Sequence, residues 1–148
     1  MMNSDLQEAL LDGVEHVFCQ FGDLLALSGG DVSIGPDECF CSYMDITGCE
    51  ETRLLLGATQ CLCRKVLSIM FPQEELSRDM EQDIICELLN MIAETTRTLL
   101  GQRGLEMSVG VPYPHLGVVP TDVDEKTGVS VSPLGERLVL WTASADGE

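Results

Sequence analysis

DIICELLNMIAETTRTLL, residues 83–100, is the stretch that decides the interpretation of this chain, because its apolar and polar residues separate at helical spacing. At about 100° per residue, one side of the predicted helix is mostly apolar. That side carries Ile84, Leu88, Met91, Ile92, Thr95 and Leu99. The opposite side carries Asp83, Glu87, Asn90, Glu94 and Arg97. The sequence therefore predicts a helix that packs by one face and presents a polar face outward.

The polar face stands at a regular distance from a later proline. Asp83, Glu87, Asn90 and Pro112 together form the pattern Asp-x3-Glu-x2-Asn-x21-Pro. Acidic and amide side chains are ordinary on any solvated helix, so the helix position alone does not indicate a site. Asparagine, however, is a mediocre helix former and gains nothing obvious in mid-helix. The spacing therefore favours a functional role for Asn90.

This spacing and the run ELLNMIA (87–93) resemble the signature of the CheC/CheX/FliY phosphatases of bacterial chemotaxis. The chain departs from the family pattern after the run, where Glu94 stands in place of a small glycine. CheC-type members carry a second motif on their first helix, but here Ser4-x3-Glu8 is followed by Leu11 instead of an asparagine. With one motif the chain resembles the CheX type, whose members form dimers by joining sheets edge to edge.

The resemblance implies a phosphatase that hydrolyses the aspartyl phosphate of a CheY-like receiver domain in chemotaxis or a related phosphorelay. In this interpretation Asn90 holds the attacking water and Glu87 pairs with a lysine of the receiver. The Mg²⁺ ion belongs to the receiver, so the resemblance implies no cofactor and no metal site on this chain.

The remaining residues of the pattern receive secondary roles. Asp83, Glu94 and Arg97 share the face of the catalytic pair, so we interpret them as partner-binding residues. Arg97 lies within reach of Glu94, which predicts a surface ion pair. Pro112 is interpreted as structural, shaping the end of a strand beside the helix.

Two other functions fit parts of the sequence. The substitution at Glu94 keeps open a non-catalytic module that binds a receiver without hydrolysing its phosphate. Secretion chaperones are also small, acidic α/β dimers, and an exposed apolar groove would support that alternative. The chaperone alternative accounts for the net charge but not for the spacing from Asn90 to Pro112.

Outside the signature, hydrophobic period and turn residues predict an α+β fold, with an antiparallel-rich sheet packed against long helices. Helices are predicted over 5–27, 58–71 and 83–100, the second ended by Pro72, with Ser77 as a cap of the third. Strands are predicted over 39–46, 52–56, 105–111, 129–132 and 137–143. Thr47-Gly48 is the expected hairpin turn, and 113–128 is expected to be rich in turns. We expect one domain over 1–148.

Composition limits the class of partner. Eight basic against 25 acidic residues give a formal net charge of -17, which repels nucleic acid and anionic membranes and favours a protein partner. Seven cysteines without a Cys-x2-Cys pair favour small buried residues in a reducing compartment. Residues 1–8 show no signal peptide, and the apolar runs are too short to cross a bilayer. We therefore expect a cytoplasmic protein.

Overall fold

The computed structural model describes residues 4–20, 26–28, 39–48, 51–115, 125–131 and 137–143. Within these ranges the chain forms helices and strands in an order that confirms the predicted α+β fold. The helices are α1 (Ser4–Cys19), α2 (Gln60–Met70) and α3 (Arg78–Gln102). The strands are β1 (Ala26–Ser28), β2 (Cys39–Gly48), β3 (Thr52–Thr59), β4 (Met107–Val109), β5 (Tyr113–His115), β6 (Glu125–Val131) and β7 (Arg137–Ala143).

The strands form one antiparallel sheet, in which most neighbours are distant in sequence. Its order is β1-β6-β7-β3-β2-β4, and β5 also pairs with β2. The hairpin of β2 and β3 extends from the pair Cys39–Thr59 to the pair Ile46–Thr52. The edge beside β2 is shared by β4 at one end and β5 at the other. The sheet therefore joins the middle of the chain to its C-terminal third.

The predicted hairpin exists, but Thr47 and Gly48 are not its turn. They are the last residues of β2 and pair with Ser108 and Met107 of β4. Gly48 has a φ of 109°, and a Cβ at this position would lie 2.6 Å from the backbone oxygen of Glu106. The glycine is therefore required by a left-handed backbone and by the closeness of the neighbouring strand.

The predicted first helix, 5–27, is wrong at its C-terminal end. The helix α1 ends at Cys19, and Ala26–Ser28 form β1, which pairs with β6. Apolar residues at helical spacing continue beyond Cys19 in the sequence, and Phe21 and Leu25 among them lie outside the described residues. A three-residue strand paired with a segment a hundred residues later leaves no local periodicity to detect.

The stretch 113–128, predicted to be turns, contains strand at both ends. Tyr113–His115 form β5, and β6 begins at Glu125, four residues before its predicted start. The ladder between β6 and β7 shifts register between Lys126 and Gly128. Charged residues and this bulge conceal the strand alternation that sequence patterns rely on. Ser132 and the predicted turn after it lie outside the described residues.

The core lies between the helices and the sheet, with α3 at its centre. This helix contacts α1, α2 and the strands β2, β3, β4 and β5. The largest fully buried side chains come from the three helices and from the strands β2 and β3. They are Leu6, Leu10, Met44, Ile46, Leu54, Leu56, Leu62, Ile85, Leu88, Leu89, Ile92 and Leu100. The position of α3 is therefore set by contacts on several sides.

The helices α1 and α3 approach each other closely at Gly13. A Cβ on Gly13 would lie 2.7 Å from Thr96 Oγ1 and 3.2 Å from the backbone oxygen of Ile92. The Thr96 hydroxyl is buried and donates a hydrogen bond to that same Ile92 oxygen at 2.7 Å. The absent side chain of Gly13 thus makes room for a buried polar group of α3.

The cysteines follow the expected burial only in part. Cys41 and Cys63 are buried, whereas Cys19 and Cys61 are exposed, and all four are free thiols. Among the described residues, no group of three or more His, Cys, Asp or Glu side chains could hold a metal ion. Over the same residues, no helix has the length and apolar character that a membrane span requires.

Candidate functional site

The site is built on α3, a helix that begins five residues earlier than predicted. Ser77 caps it as predicted, because its Oγ accepts a hydrogen bond from the Met80 backbone N–H at 3.2 Å. The 25 residues of the helix extend about 37 Å. A helix of this length presents polar side chains from several successive turns along one line.

The buried face of α3 is rotated from its predicted direction by roughly 60°, at 100° per residue. Met91, Thr95 and Leu99, predicted to be on the apolar side, are only half-buried. The face that is buried consists of Glu81, Ile84, Ile85, Leu88, Leu89, Ile92, Ala93, Thr96 and Leu100. The rotation arises because α1 packs against the flank of α3, which buries a second column of residues there.

The polar face lies opposite the buried face, as predicted. Asp83, Glu87 and Arg97 are exposed, and Asn90 and Glu94 are half-buried. In the part of the chain that the structure describes, the side chains of Glu87 and Asn90 form no hydrogen bond or ion pair with another residue. Their side chains lie one helical turn apart and are available to a partner. We call these five residues the polar row.

Glu94 and Arg97 form the predicted ion pair. The distance between Glu94 Oε1 and Arg97 Nη2 is 2.5 Å, and both side chains are about half exposed. Glu94 lies on the polar row, on the opposite side of α3 from the close contact with Gly13. The carboxylate that replaces the family's glycine is therefore neutralised beside Asn90 rather than packed against α1.

A buried hydroxyl joins α3 to the sheet beneath the polar row. Ser42, on β2, donates from its Oγ to the backbone oxygen of Ile85 at 3.0 Å. The acceptor lies two residues before Glu87. Because donor and acceptor are both buried, this bond helps to hold the height of the helix over the sheet. No signal in the sequence pairs Ser42 with Ile85.

Glu81 is the buried acid of α3, and sequence reasoning missed it. Its side chain is 0% exposed and accepts hydrogen bonds from Gln60 Nε2 at 2.9 Å and from Arg64 Nε. Both donors belong to α2, so this cluster ties the first turns of the two helices together. The sequence does contain a signal for this burial. Glu81 lies three residues before Ile84 and seven before Leu88, and this spacing places it on the same side of the helix as those apolar residues.

On α1, the described residues at the position of the second CheC-type motif do not form a site like that of Glu87 and Asn90. Glu8 and Asp5 both accept hydrogen bonds from Arg103, at 3.1 and 3.0 Å. The hydrogen bond to Glu8, and then that to Asp5, raises the pKa of the Arg103 guanidinium above its usual range. Leu11 occupies the place of the expected asparagine and is half-buried. Glu8 is therefore paired with Arg103, whereas Glu87 has no such partner among the described residues.

Pro112 lies between β4 and β5, on the sheet edge that α3 contacts. It is half-buried, and just before it the Gly110 N–H donates to the backbone oxygen of Asp45 at 2.9 Å. Proline has no N–H to continue this ladder, so the strand is interrupted at this point. Pro112 thus lies where the strand is interrupted, and its structural role at the site stays a prediction.

Cys86 lies next to the polar row but has the chemistry of a neutral thiol. It is half-buried, and this burial raises its pKa, to which the charge of Asp83 adds a smaller increase. The thiol therefore stays protonated at neutral pH, and a protonated thiol is a poor nucleophile. Nothing about Cys86 prepares it for covalent catalysis.

A groove of about 430 Å³ opens beside the polar row, between the end of α2 and α3. Its lining is Leu67, Met70, Phe71, Glu74, Met80, Asp83, Ile84 and Glu87. Asp83 and Glu87 thus belong to the polar row and to the groove. We call this feature the acidic-rimmed groove.

The antiparallel α+β fold, with Glu87 and Asn90 one turn apart on the outer face of its central helix, is the arrangement expected of the CheC/CheX/FliY class of phosphatases. The family model described as Chemotaxis phosphatase CheX matches residues 40–129, which is more than half of the chain. The chain belongs to this CheX family. No curated protein sequence matches it closely enough to show a relative.

Solved structures share the fold at low sequence identity. A CheC-like chemotactic protein from Shewanella oneidensis MR-1 has a TM-score of 0.75 and 17% identity, covering 96% of this chain and 99% of that one. The chemotaxis protein CheX from Vibrio vulnificus has a TM-score of 0.76, 13% identity and the same coverage. The CheX–CheY–BeF3–Mg²⁺ complex from Borrelia burgdorferi has a TM-score of 0.70 and 16% identity, covering 92% and 95%.

Proposed function

We propose that this CheX-family phosphatase hydrolyses the aspartyl phosphate of a CheY-like receiver through Asn90 and Glu87. The observation that carries the proposal is that both side chains lie on the outer face of α3 without a partner in the described part of the chain. The similar Borrelia burgdorferi structure, in which CheX is bound to CheY with BeF3 and Mg²⁺, supports the class of partner.

Asn90 acts by positioning water. A water oxygen attacks phosphorus, the bond from phosphorus to the aspartate oxygen breaks, and inorganic phosphate leaves with the protons of the water. The reaction needs the water in line with the departing carboxylate oxygen. The side-chain amide of Asn90 can accept from the water and donate to an oxygen nearby. The receiver brings its own Mg²⁺, so the phosphatase supplies position rather than a metal.

Glu87 acts by fixing the orientation of the two proteins. Its free carboxylate pairs with the receiver lysine that lies near the phosphate, in a charge-assisted hydrogen bond. This bond sets how Asn90, one turn further along, enters the receiver's pocket. Asp83 lies at the rim on the same side, and the neutral Glu94–Arg97 pair lies at the other end of the row.

We further propose a dimer formed through the sheet edge and a cytoplasmic location. Val111 and Tyr113 are apolar, more than half exposed and lie on either side of Pro112 along the β4–β5 edge. A second copy would cover them, so Val111→Glu should convert a dimer to a monomer in sedimentation velocity. An unchanged mass in this variant would count against this edge. Cys19, Cys41, Cys61, Cys63 and Cys86 are free thiols, which supports a reducing compartment.

The testing experiment compares three chains on one phosphorylated receiver. Asn90→Ala should lose about 10²- to 10³-fold of the acceleration while binding is retained, because one preorganised polar group is removed. Glu87→Ala should weaken binding as well as hydrolysis. Glu15→Ala, on the exposed side of α1, is the matched control and should behave as wild type. Full activity in Asn90→Ala would refute the assigned role.

A non-catalytic receiver-binding module is the second candidate. The observation that favours it is the half-buried Glu94 beside Asn90, where the family pattern has a small residue. In that case the wild-type chain binds the receiver and leaves its phosphate lifetime unchanged. Because the chain belongs to the CheX family, we do not propose a secretion chaperone, although the structure does contain the apolar groove that this alternative requires.

A further inference from the structure

We propose that the acidic-rimmed groove receives an apolar side chain of the receiver that is flanked by lysine or arginine, and so helps to select which receiver is hydrolysed. The inference rests on the proposed function, since it assigns a second contact to the same partner. It concerns a surface outside the Glu87–Asn90 pair, built jointly by α2 and α3.

The acidic-rimmed groove is continuous with the polar row. Asp83 and Glu87 lie one turn apart on α3, and both line the groove. One helical turn is only about 5.4 Å. A protein large enough to pair with Glu87 must therefore cover the adjoining groove as well. A partner surface of matching shape would then exclude water from both places together.

The chemistry of the lining is the second argument. Its apolar part is formed by Leu67, Met70, Phe71, Met80 and Ile84. Its charged part consists of the three carboxylates Glu74, Asp83 and Glu87, and no basic residue is among the described lining. An apolar floor within an acidic rim complements an apolar side chain with a cationic neighbour. The receiver lysine already assigned to Glu87 supplies one such cation.

Preorganisation is the third argument. Met70 and Phe71 are 39% and 41% exposed, so apolar surface is left for a partner to cover. Phe71 is nevertheless held in place, because its backbone N–H donates to the oxygen of Leu67 at 2.7 Å and ends α2. A contact whose backbone is already ordered loses less entropy on binding. Met70 and Met80 have flexible thioether side chains that adapt to partners of different shape.

The test measures steady-state dephosphorylation of the cognate receiver by Met70→Ala and Phe71→Ala. Each should raise the KM for the receiver by about tenfold at unchanged kcat, because an apolar contact is lost and the chemistry is not. The matched control is Ile69→Ala. Ile69 is 48% exposed on the same last turn of α2 but does not line the groove, so its KM should stay as in wild type.

A charge reversal provides a second variant that does not depend on packing. Glu74 is exposed and lies on the rim but not on the polar row. Glu74→Lys should raise the KM severalfold at low salt, and the difference should shrink as salt screens the charge. A KM unaffected by both Phe71→Ala and Glu74→Lys, in a chain that still hydrolyses the receiver phosphate, would overturn the groove assignment alone.

The remaining outcomes also separate the two proposals. A wild-type chain that neither binds nor dephosphorylates any cognate receiver would overturn the proposed function, and the groove assignment with it. A change of sedimenting mass in Phe71→Ala would assign the groove to a second copy of this chain. Tighter binding of an apolar peptide without basic residues than of one with them would assign it to a different class of client.

Discussion

Glu81 and Glu87 lie six residues apart on the same helix, yet their surroundings are opposite. The carboxylate of Glu81 is fully buried and bonded to Gln60 and Arg64. The carboxylate of Glu87 is exposed and unpaired in the described part of the chain. At 100° per residue the two side chains point about 120° apart. The comparison teaches that the direction of a side chain around one helix, rather than its residue type, separates an acid that is bonded inside the fold from one that is left available to a partner.

The largest expected effect is on stability, at the buried acid. Arg64→Ala leaves the Glu81 carboxylate buried with Gln60 as its remaining side-chain donor. Since an uncompensated buried charge is costly, we expect the free energy of unfolding to fall by about 2–4 kcal/mol. Urea denaturation would measure the loss. The activity of the molecules that remain folded should be unchanged.

Arg97→Ala is the matched control for this change, because it breaks an ion pair exposed on both sides. Its expected cost is below about 1 kcal/mol. Replacing both partners of the buried pair, in Arg64→Met with Glu81→Leu, should recover much of the stability, since no charge is then stranded. Equal losses in Arg64→Ala and Arg97→Ala would show that burial does not distinguish these pairs.

The second effect is on catalysis, at the exposed acid. Glu87→Gln keeps the shape of the side chain and removes its charge, so the proposed bond to the receiver lysine would lose its ionic character. We expect kcat/KM to fall about 10- to 100-fold. The free energy of unfolding should stay within about 0.5 kcal/mol of wild type, since no contact within the fold is lost. A large loss of stability in Glu87→Gln would show that Glu87, like Glu81, contributes to holding the fold.

The third effect lies on the face of α3 that meets α1. Gly13→Ala places a Cβ 2.7 Å from Thr96 Oγ1. The steric cost of about 1–3 kcal/mol should exceed the gain in helix propensity of about 1 kcal/mol, which leaves a net loss of about 1 kcal/mol. Thermal denaturation would detect it as a lower Tm.

Gly101→Ala is the control for that substitution, because a Cβ at Gly101 meets nothing within 4 Å and the residue lies in the last turn of α3. It should stabilise the chain by up to about 1 kcal/mol. A stabilising Gly13→Ala would mean that α1 and α3 have room to move apart at this crossing.

The smallest effect concerns Cys86, which lies between the two glutamates. Burial and the charge of Asp83 raise its pKa, so less thiolate is present at pH 8 than for an unperturbed thiol. Cys86 should therefore be alkylated by iodoacetamide more slowly than the exposed Cys61, as read by peptide mass spectrometry. Asp83→Asn should lower the pKa and speed the reaction modestly. Any stability gained from the neutral thiol is lost as the pH rises through that raised pKa.

Local patterns predicted the parts of the fold in which neighbours in sequence are neighbours in space. The helices α2 and α3, the strands β2, β3 and β7 and the cap at Ser77 were all found near their predicted positions. The strands β1 and β5 were missed because each is three residues long and pairs with a distant segment. Their existence depends on the assembled sheet, which no local window contains.

The candidate site was likewise predictable only where it depends on local sequence. The direction of Asp83, Glu87 and Asn90 followed from helical periodicity, and so did the Glu94–Arg97 pair. The burial of Glu81 depends on donors from α2, and the hydroxyl beneath Ile85 comes from β2. The acidic-rimmed groove likewise exists only where α2 ends against α3. The sequence pattern indicated at most which side of α3 Glu81 occupies, and it did not identify the partners that these residues contact on other elements.

The location of Glu87 and Asn90 on a single turn of one continuous helix has a consequence for how such proteins diversify. Neither side chain depends on a loop, a lid or a second segment for its direction. Under the proposed function, mutations that alter the end of α2 or the sheet edge would change recognition while Glu87 and Asn90 stay intact. A duplicated gene could acquire a new signalling partner through neighbouring surfaces alone, without passing through an inactive intermediate.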